Sequence, residues 1–207
     1  MFRTLKEDIQ TIYKNDPAAK STPEIIFCYP GFQALVLYRL AHKLHGWKVP
    51  FFPRFISYLT RLLTGIDIHP AARIGARCFI DHGTGVVIGE TSVIGDDVLL
   101  YQQVTLGGTG NVCGKRHPTI GNGVIIGAGA KVLGNITVGE HTRIGAGSVV
   151  VRDVPANCTI VGVPGHVVRQ KVIGEDGVLM HNRIPDPVEQ EIAKLRHEID
   201  ELKKKIR

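Results

Sequence analysis

The sequence predicts a mixed chain: a helical N-terminal segment, a parallel β-solenoid, and a C-terminal helix. Three observations carry this. Aliphatic residues return every six positions through the middle of the chain, from Ile68 to Val150. Glycine gathers in the same stretch, with 20 of the 24 glycines between Gly65 and Gly165. Aromatic residues do the reverse: 11 of the 13 precede residue 65, so two architectures share 207 residues. The boundaries that follow are 1–65 for the helices, 66–170 for the solenoid with a long loop at 107–119, and 171–207 for the tail.

The helical segment is read from its periodicity. Phe2, Leu5, Ile9 and Ile12 recur at three and four residues, one face of a helix. Thr4 with Glu7 three positions on is a candidate capping box. Asn15-Asp16-Pro17 stops this helix, because proline cannot continue one. Asp16 by itself reads as an exposed turn residue. Pro30 suits the start of a second helix. Its stripe would be Phe32, Leu35, Val36, Leu40 and Leu44, ending at Gly46. A third helix is expected over Pro53–Thr64, with Phe55, Ile56, Leu59, Leu62 and Leu63 buried.

The solenoid rests on 13 repeats. Ile68, Ile74 and Ile80 are followed, after a two-residue slip, by Ile88, Ile94, Leu100 and Leu106. After a second gap come Ile120, Ile126, Val132, Val138, Ile144 and Val150. A period of six is neither the 3.6 of a helix nor the 2 of a strand. It fits a short strand and a tight turn, repeated around a three-sided prism whose coils stack and bury one aliphatic per face. A glycine follows the aliphatic at 75, 89, 95, 107, 121, 127, 139 and 145, and is expected to supply the turn conformation. The fourth position after each aliphatic is small or branched and should also point inward, as at Cys78 and Ala130.

Insertions in a solenoid become surface loops, often at the binding face. The first break is Asp81-His82-Gly83-Thr84-Gly85. The second spans Gly107 to Thr119, eight residues longer than the repeat requires, and contains Arg116-His117-Pro118. His82 beside Asp81, and Arg116 with His117, are therefore the candidate functional groups. His69, His141 and His166 have no partner in sequence and read as structural or solvated side chains. After Pro185 and Pro187, the residues Val188, Ile192, Leu195, Ile199, Leu202 and Ile206 form a short heptad seam.

Composition excludes several classes. The net charge of +6 suits an anionic small molecule or a phosphorylated cofactor. No basic run with interleaved aromatics appears, so nucleic acid is not expected. The longest apolar stretch, 49–63, is interrupted by Arg54 and Arg61, so no membrane span is expected. Residues 1–10 do not read as a signal peptide. Cysteines 28, 78, 113 and 158 form no CxxC pair, which fits a reducing cytoplasm.

The strings DIHPAARIG, DHGTGVVIGET, VTLGGTG…KRHPTIG, IGAGAKVLGNITVG, IGAGSVVVRDVP and GVPGHVV resemble the serine O-acetyltransferase family, as do NDPAA and GFQALVLYRLAHKL. The resemblance runs from about Asp16 to Val168. It implies a left-handed parallel β-helix and transfer of the acetyl group of acetyl-CoA to the hydroxyl of L-serine, the first step of cysteine biosynthesis. It also implies roles. His82 is the general base and Asp67 its partner. Asp16 and Asp81 bind the substrate, and Arg116 and His117 clamp its carboxylate. Thr109, Ala128 and Ala146 match positions along the pantetheine groove, while Lys131, Arg143 or Lys171 is the expected cation for the cofactor's phosphates. No metal is implied. L-cysteine is the expected feedback inhibitor, and a homotrimer the expected assembly, with a dimer of trimers as the larger alternative. Some relatives dock a terminal isoleucine into O-acetylserine sulfhydrylase. Here Arg207 follows Ile206, so that complex is not expected.

Three other readings compete. A hexapeptide transferase could acetylate a sugar hydroxyl or an amine. A zinc enzyme on the same solenoid could use His69, His82 and His117. A non-enzymatic scaffold could display the heptad helix.

Overall fold

The computed structural model describes residues 2–110, 113–168, 192–193, 195–199 and 201. Four helices come first: α1 (Phe2–Asn15), α2 (Thr22–Cys28), α3 (Pro30–Gly46) and α4 (Phe52–Thr64). Helix α1 begins ahead of Thr4, so Thr4 lies inside the helix and does not cap it. Its apolar face, Leu5, Ile9 and Ile12, packs with Ile25, Phe32 and Phe79.

Helix α2 was not read from the sequence. Its signal is Ser21-Thr22-Pro23-Glu24. The Ser21 hydroxyl accepts from the Glu24 N–H at 3.4 Å, and Glu24 reaches back to the Lys20 N–H at 3.0 Å. In α3, Phe32 and Leu35 are buried as expected, but Leu40 is exposed; Ala34, Tyr38 and Ala41 complete the buried stripe instead.

The expected core of the last helix is overturned. In α4 the buried residues are Pro53, Ser57, Thr60 and Thr64. Phe55, Leu59, Leu62 and Leu63 are exposed, Leu63 at 77%, and Ile56 is only partly buried. The reason is steric and polar. Small hydroxyl residues let α4 lie close to the solenoid, where the Ser57 hydroxyl donates to the Ile68 carbonyl at 2.7 Å. The bulky face turns outward, joined by Trp47, Phe51, Phe52 and Tyr58. An apolar surface of this extent marks an interaction site.

One charged contact fastens the helices. Arg39 of α3 pairs with Asp8 of α1, and the Asp8 side chain is only 1% exposed. Cys78, fully buried close by, has its thiol pushed up to about 12, first by desolvation and then by the Asp8 carboxylate.

The strands then wind around three faces. The first face carries β1 (Asp67–Ile68), β4 (Val87–Ile88), β7 (Thr105–Gly107), β10 (Lys131–Leu133) and β13 (Val149–Val150). The second carries β2 (Arg73–Ile74), β5 (Val93–Ile94), β8 (Thr119–Ile120) and β11 (Thr137–Val138). The third carries β3 (Phe79–Ile80), β6 (Leu99–Leu100), β9 (Ile125–Ile126), β12 (Arg143–Ile144) and β14 (Thr159–Val161). Pairing is parallel throughout, and β15 (His166–Val168) closes the third face as an antiparallel hairpin with β14.

Register reproduces the sequence arithmetic. Thr105 pairs one coil above Val87, 18 residues on, whereas Val87 pairs with Asp67 after 20 residues and Lys131 with Thr105 after 26. The surplus residues are the two loops. All 13 repeat aliphatics point inward, 12 of them buried and Ile74 partly so.

The role expected of the repeat glycines needs correction. None of the eight repeat glycines, at 75, 89, 95, 107, 121, 127, 139 and 145, has positive φ. The left-handed position comes two residues later, at Arg77, Asp97, Gly123, Gly129, His141 and Gly147. The repeat glycines are needed because successive coils approach too closely for a side chain. A Cβ at Gly121 would sit 2.8 Å from the Glu140 nitrogen, and one at Gly127 2.6 Å from the Ala146 nitrogen. Gly121→Ala is therefore expected to cost about 1–3 kcal/mol, seen as a lower urea midpoint with an unchanged slope.

In the tail, the described residues Ile192, Leu195 and Ile199 are helical and exposed. Val188, Leu202, Ile206 and Lys171 lie outside the described residues.

Candidate active site

The candidate functional residues collect at two corners of the prism. The first corner joins the third face to the first face, at residues 81–86. The polypeptide there is tied down by its backbone. The Asp81 N–H donates to the Leu100 carbonyl at 2.8 Å, and the Gly85 N–H to the Gly65 carbonyl at 2.9 Å. His82 sits at φ +57 with its side chain 76% exposed, so the loop presents an imidazole held by backbone alone. Its Nε2 lies 4.0 Å from Asp81 Oδ1.

Asp81 is more enclosed, and its carboxyl is raised above the usual range, first by desolvation; the His82 field opposes this and the Asp16 carboxylate adds to it. The charge of Asp16, in the helical segment, thus reaches Asp81. The turn chemistry expected of Asp16 is present: Oδ1 accepts from the Ala18 N–H at 2.8 Å. Its other oxygen accepts from the Tyr29 hydroxyl at 2.7 Å, which raises the Tyr29 phenol. Two carboxylates that feel each other's charge near an exposed imidazole favour a cation beside them.

Asp67 begins β1, and the loop bearing His82 leans on the residues just before it. Thr84 packs against Gly65, and Gly83 against Ile66. The Asp67 N–H donates to the Val86 carbonyl at 2.9 Å. Its carboxylate lies 3.5 Å from Arg61 Nη1. Among the described residues, no hydrogen bond links Asp67 to His82. The same corner continues along the stack to Ala128 and Ala146, one coil apart, where the Gly147 N–H donates to the Ala128 carbonyl at 2.8 Å. Ala146 is exposed and Ala128 partly so.

The second corner joins the first face to the second face and carries Arg116 and His117. Arg116 is ion-paired to Glu90, whose carboxyl this hydrogen bond pulls down. His117 is 8% exposed, and its imidazole is held below its usual range, first by desolvation and then by the Arg116 charge. Thr109 is exposed on the same loop, and its N–H donates to the Arg116 carbonyl at 3.3 Å. The sequence reading missed Glu90, Thr91 and Tyr29. The signal for the first two lay in the register: the turn after β4 and the loop after β7 occupy one corner of neighbouring coils.

His69 lies near this corner and is pushed down to about 4, first by desolvation and then by the Arg54 charge. Its Nδ1 accepts from the Ala71 N–H at 3.0 Å. The unfolded chain binds a proton at His69 near pH 6.5 and the folded chain does not until about 4, so stability falls as pH drops through that window. His69→Asn, which keeps an acceptor for the Ala71 N–H, should shrink the fall in melting temperature between pH 7.5 and 5. Among the described residues, no group of three or more His, Cys, Asp or Glu side chains is placed to hold a metal ion. Among them, too, no helix is long and apolar enough to cross a membrane.

A three-faced hexapeptide coil with an acid–imidazole turn and an arginine–histidine loop is the architecture of an acyl-transferring hexapeptide-repeat enzyme. Residues 117–152 match the family model described as bacterial transferase hexapeptide (six repeats). A serine acetyltransferase of Synechococcus elongatus is 55% identical over 98% of this chain and 82% of its own length. A solved serine acetyltransferase in complex with cysteine is 42% identical, with TM-score 0.81, over 84% of this chain and 68% of that one. Another, in complex with CoA, is 43% identical, with TM-score 0.76, over 80% of this chain and 69% of that one. The chain belongs to the serine acetyltransferase family.

Proposed function

We propose that this protein transfers the acetyl group of acetyl-CoA to the hydroxyl of L-serine by general-base catalysis at His82. The observation that carries the reading is the exposed His82 imidazole 4.0 Å from Asp81, on a turn whose Asp81 carboxyl also feels the charge of Asp16. The two carboxylates pair with the serine ammonium and hold its hydroxyl at the imidazole. His82 takes the hydroxyl proton as the oxygen attacks the thioester carbonyl. The tetrahedral intermediate collapses, expelling the CoA sulfur, which recovers the proton from the imidazolium. No acyl-enzyme is required. Asp67, after turning from Arg61, orients the imidazole and stabilises its charge.

Arg116 and His117 are the clamp for the serine carboxylate. In one chain they and His82 stand at opposite edges of the first face. A strand-and-turn face of six residues is on the order of 10–20 Å across, too wide for one serine. The site is therefore read as shared between neighbouring chains in a homotrimer, with the outward apolar face of α4 as contact surface. The alanine column at 128 and 146 lets the pantetheine arm lie against the backbone, with Thr109 supplied from the loop corner. The coil is taken as left-handed, the hand implied by the hexapeptide strings. L-cysteine, which differs from serine by one atom and accompanies a solved relative, would occupy the serine seat as feedback inhibitor. Residues 66–170 form the catalytic segment on this reading, and the cytoplasm is the setting.

Thiol release from acetyl-CoA tests the proposal. It is expected to depend on L-serine and to fall when L-cysteine is added. Turnover with a sugar or amine panel and none with serine would overturn it.

A further inference from the structure

We propose that Glu90 and Thr91 are positioning residues that hold Arg116 and His117 in the geometry needed to receive the substrate carboxylate. The inference rests on the assignment of those two residues as the clamp, and it comes from how completely one dipeptide binds another. The Thr91 hydroxyl oxygen accepts from the Arg116 N–H at 3.0 Å and from the His117 N–H at 3.1 Å. The Thr91 N–H donates to His117 Nδ1 at 3.2 Å, and the hydroxyl lies 2.9 Å from the same nitrogen. Lys115 Nζ donates to the Thr91 carbonyl at 2.7 Å. Glu90 takes Arg116 Nη2. The turn after β4 thus grips three consecutive residues, Lys115 to His117, of the loop after β7.

Two chemical consequences follow. A backbone N–H can only donate, so Nδ1 of His117 is an acceptor and the proton of the neutral ring sits on Nε2. That ring is wedged between Gly89 and Gly108, so Nε2–H is a donor of fixed direction. Glu90, meanwhile, neutralises one arm of Arg116 and fixes the plane of the guanidinium, and Nη1 makes a 3.4 Å contact with the Gly114 carbonyl that an incoming carboxylate can displace. Orientation of this kind lowers the entropic cost of binding and leaves the chemistry at His82 untouched.

Steady-state kinetics on Thr91→Val, Thr91→Ser and Glu90→Ala test this. Thr91→Val keeps the shape and removes the acceptor for two N–H groups, and Glu90→Ala removes the counter-ion. Each is expected to raise the serine KM by about tenfold, with kcat and the acetyl-CoA KM within about threefold of wild type; the melting temperature stays nearly unchanged in Glu90→Ala and falls in Thr91→Val, which leaves two N–H groups unpaired. Thr91→Ser should restore the serine KM. A merely structural role would instead depress all parameters and the melting temperature together, and serine would not recover only the one. Glu90 is half-exposed, so its variant reports even where Thr91→Val does not fold. An unchanged serine KM in Glu90→Ala, or kcat and both KM values shifting together, overturns the proposal. Wild type assayed alongside separates the failures. Absence of serine-dependent thiol release from wild type defeats the substrate reading and this inference with it. Normal wild-type turnover with unaltered variant KM values defeats this inference alone.

Discussion

His82→Ala should lose about 10²–10⁴-fold in kcat, the usual worth of a positioned general base, while remaining folded. The side chain makes no packing contact that folding depends on: it is 76% exposed, and the loop is held through backbone bonds at Asp81 and Gly85. One complication is conformational. Position 82 is at φ +57, which alanine tolerates poorly and asparagine better. His82→Asn is therefore the cleaner companion, lacking a base yet suited to the turn. The two variants should share the low kcat and keep the wild-type circular dichroism and serine affinity. A variant of either kind retaining more than a tenth of wild-type kcat would remove His82 from the mechanism.

Breaking the buried ion pair between Asp8 and Arg39 should be the most damaging change to stability among the charged residues. Asp8→Ala leaves an Arg39 guanidinium largely out of water, and Arg39→Ala leaves a carboxylate that is 1% exposed. Removing one partner of such a pair costs about 3–5 kcal/mol. Among the described residues, Asp8 Oδ1 and Arg39 Nη2 also have no hydrogen-bond partner, so the pair is imperfectly satisfied. Replacing both with apolar residues of similar size, Asp8→Leu with Arg39→Met, should recover most of the loss. Urea titration of the two single variants and the double variant gives the coupling directly. Additive losses in the double variant would contradict the argument.

The repeat is the part of this fold that the sequence displays most openly. Every repeat aliphatic from Ile68 to Val150 lands on the inward side because the period of six is set by local turn geometry, and both insertions appear as register jumps of two and eight residues. What the glycines do was less visible. A glycine after Ile120 looks the same in sequence whether it bends the chain or makes room, and only the distance to Glu140 in the next coil shows that it makes room. The helices show a sharper limit. Leu62 and Leu63 have the periodicity of core residues, but the solenoid needs a close approach, so it takes Ser57, Thr60 and Thr64 and turns the leucines out. At the site, His82, Asp81, Arg116 and His117 stood out because they interrupt a strict repeat. Glu90 and Thr91 did not, since they occupy ordinary turn positions within it.

The amino-acid sequence alone determined the three-sided coil, its inward ladder and the two loops that carry chemistry, because each repeat is specified by its own six residues and touches only its neighbours. Which groups meet was decided in three dimensions. The charge of Asp16 reaches Asp81 across 65 positions of chain, Asp8 pairs with Arg39 between helices, and Thr91 grips Arg116 and His117 from the adjacent coil. Those encounters depend on the accumulated register of stacked coils and on how closely the helices can approach them, and neither quantity is written in any single repeat.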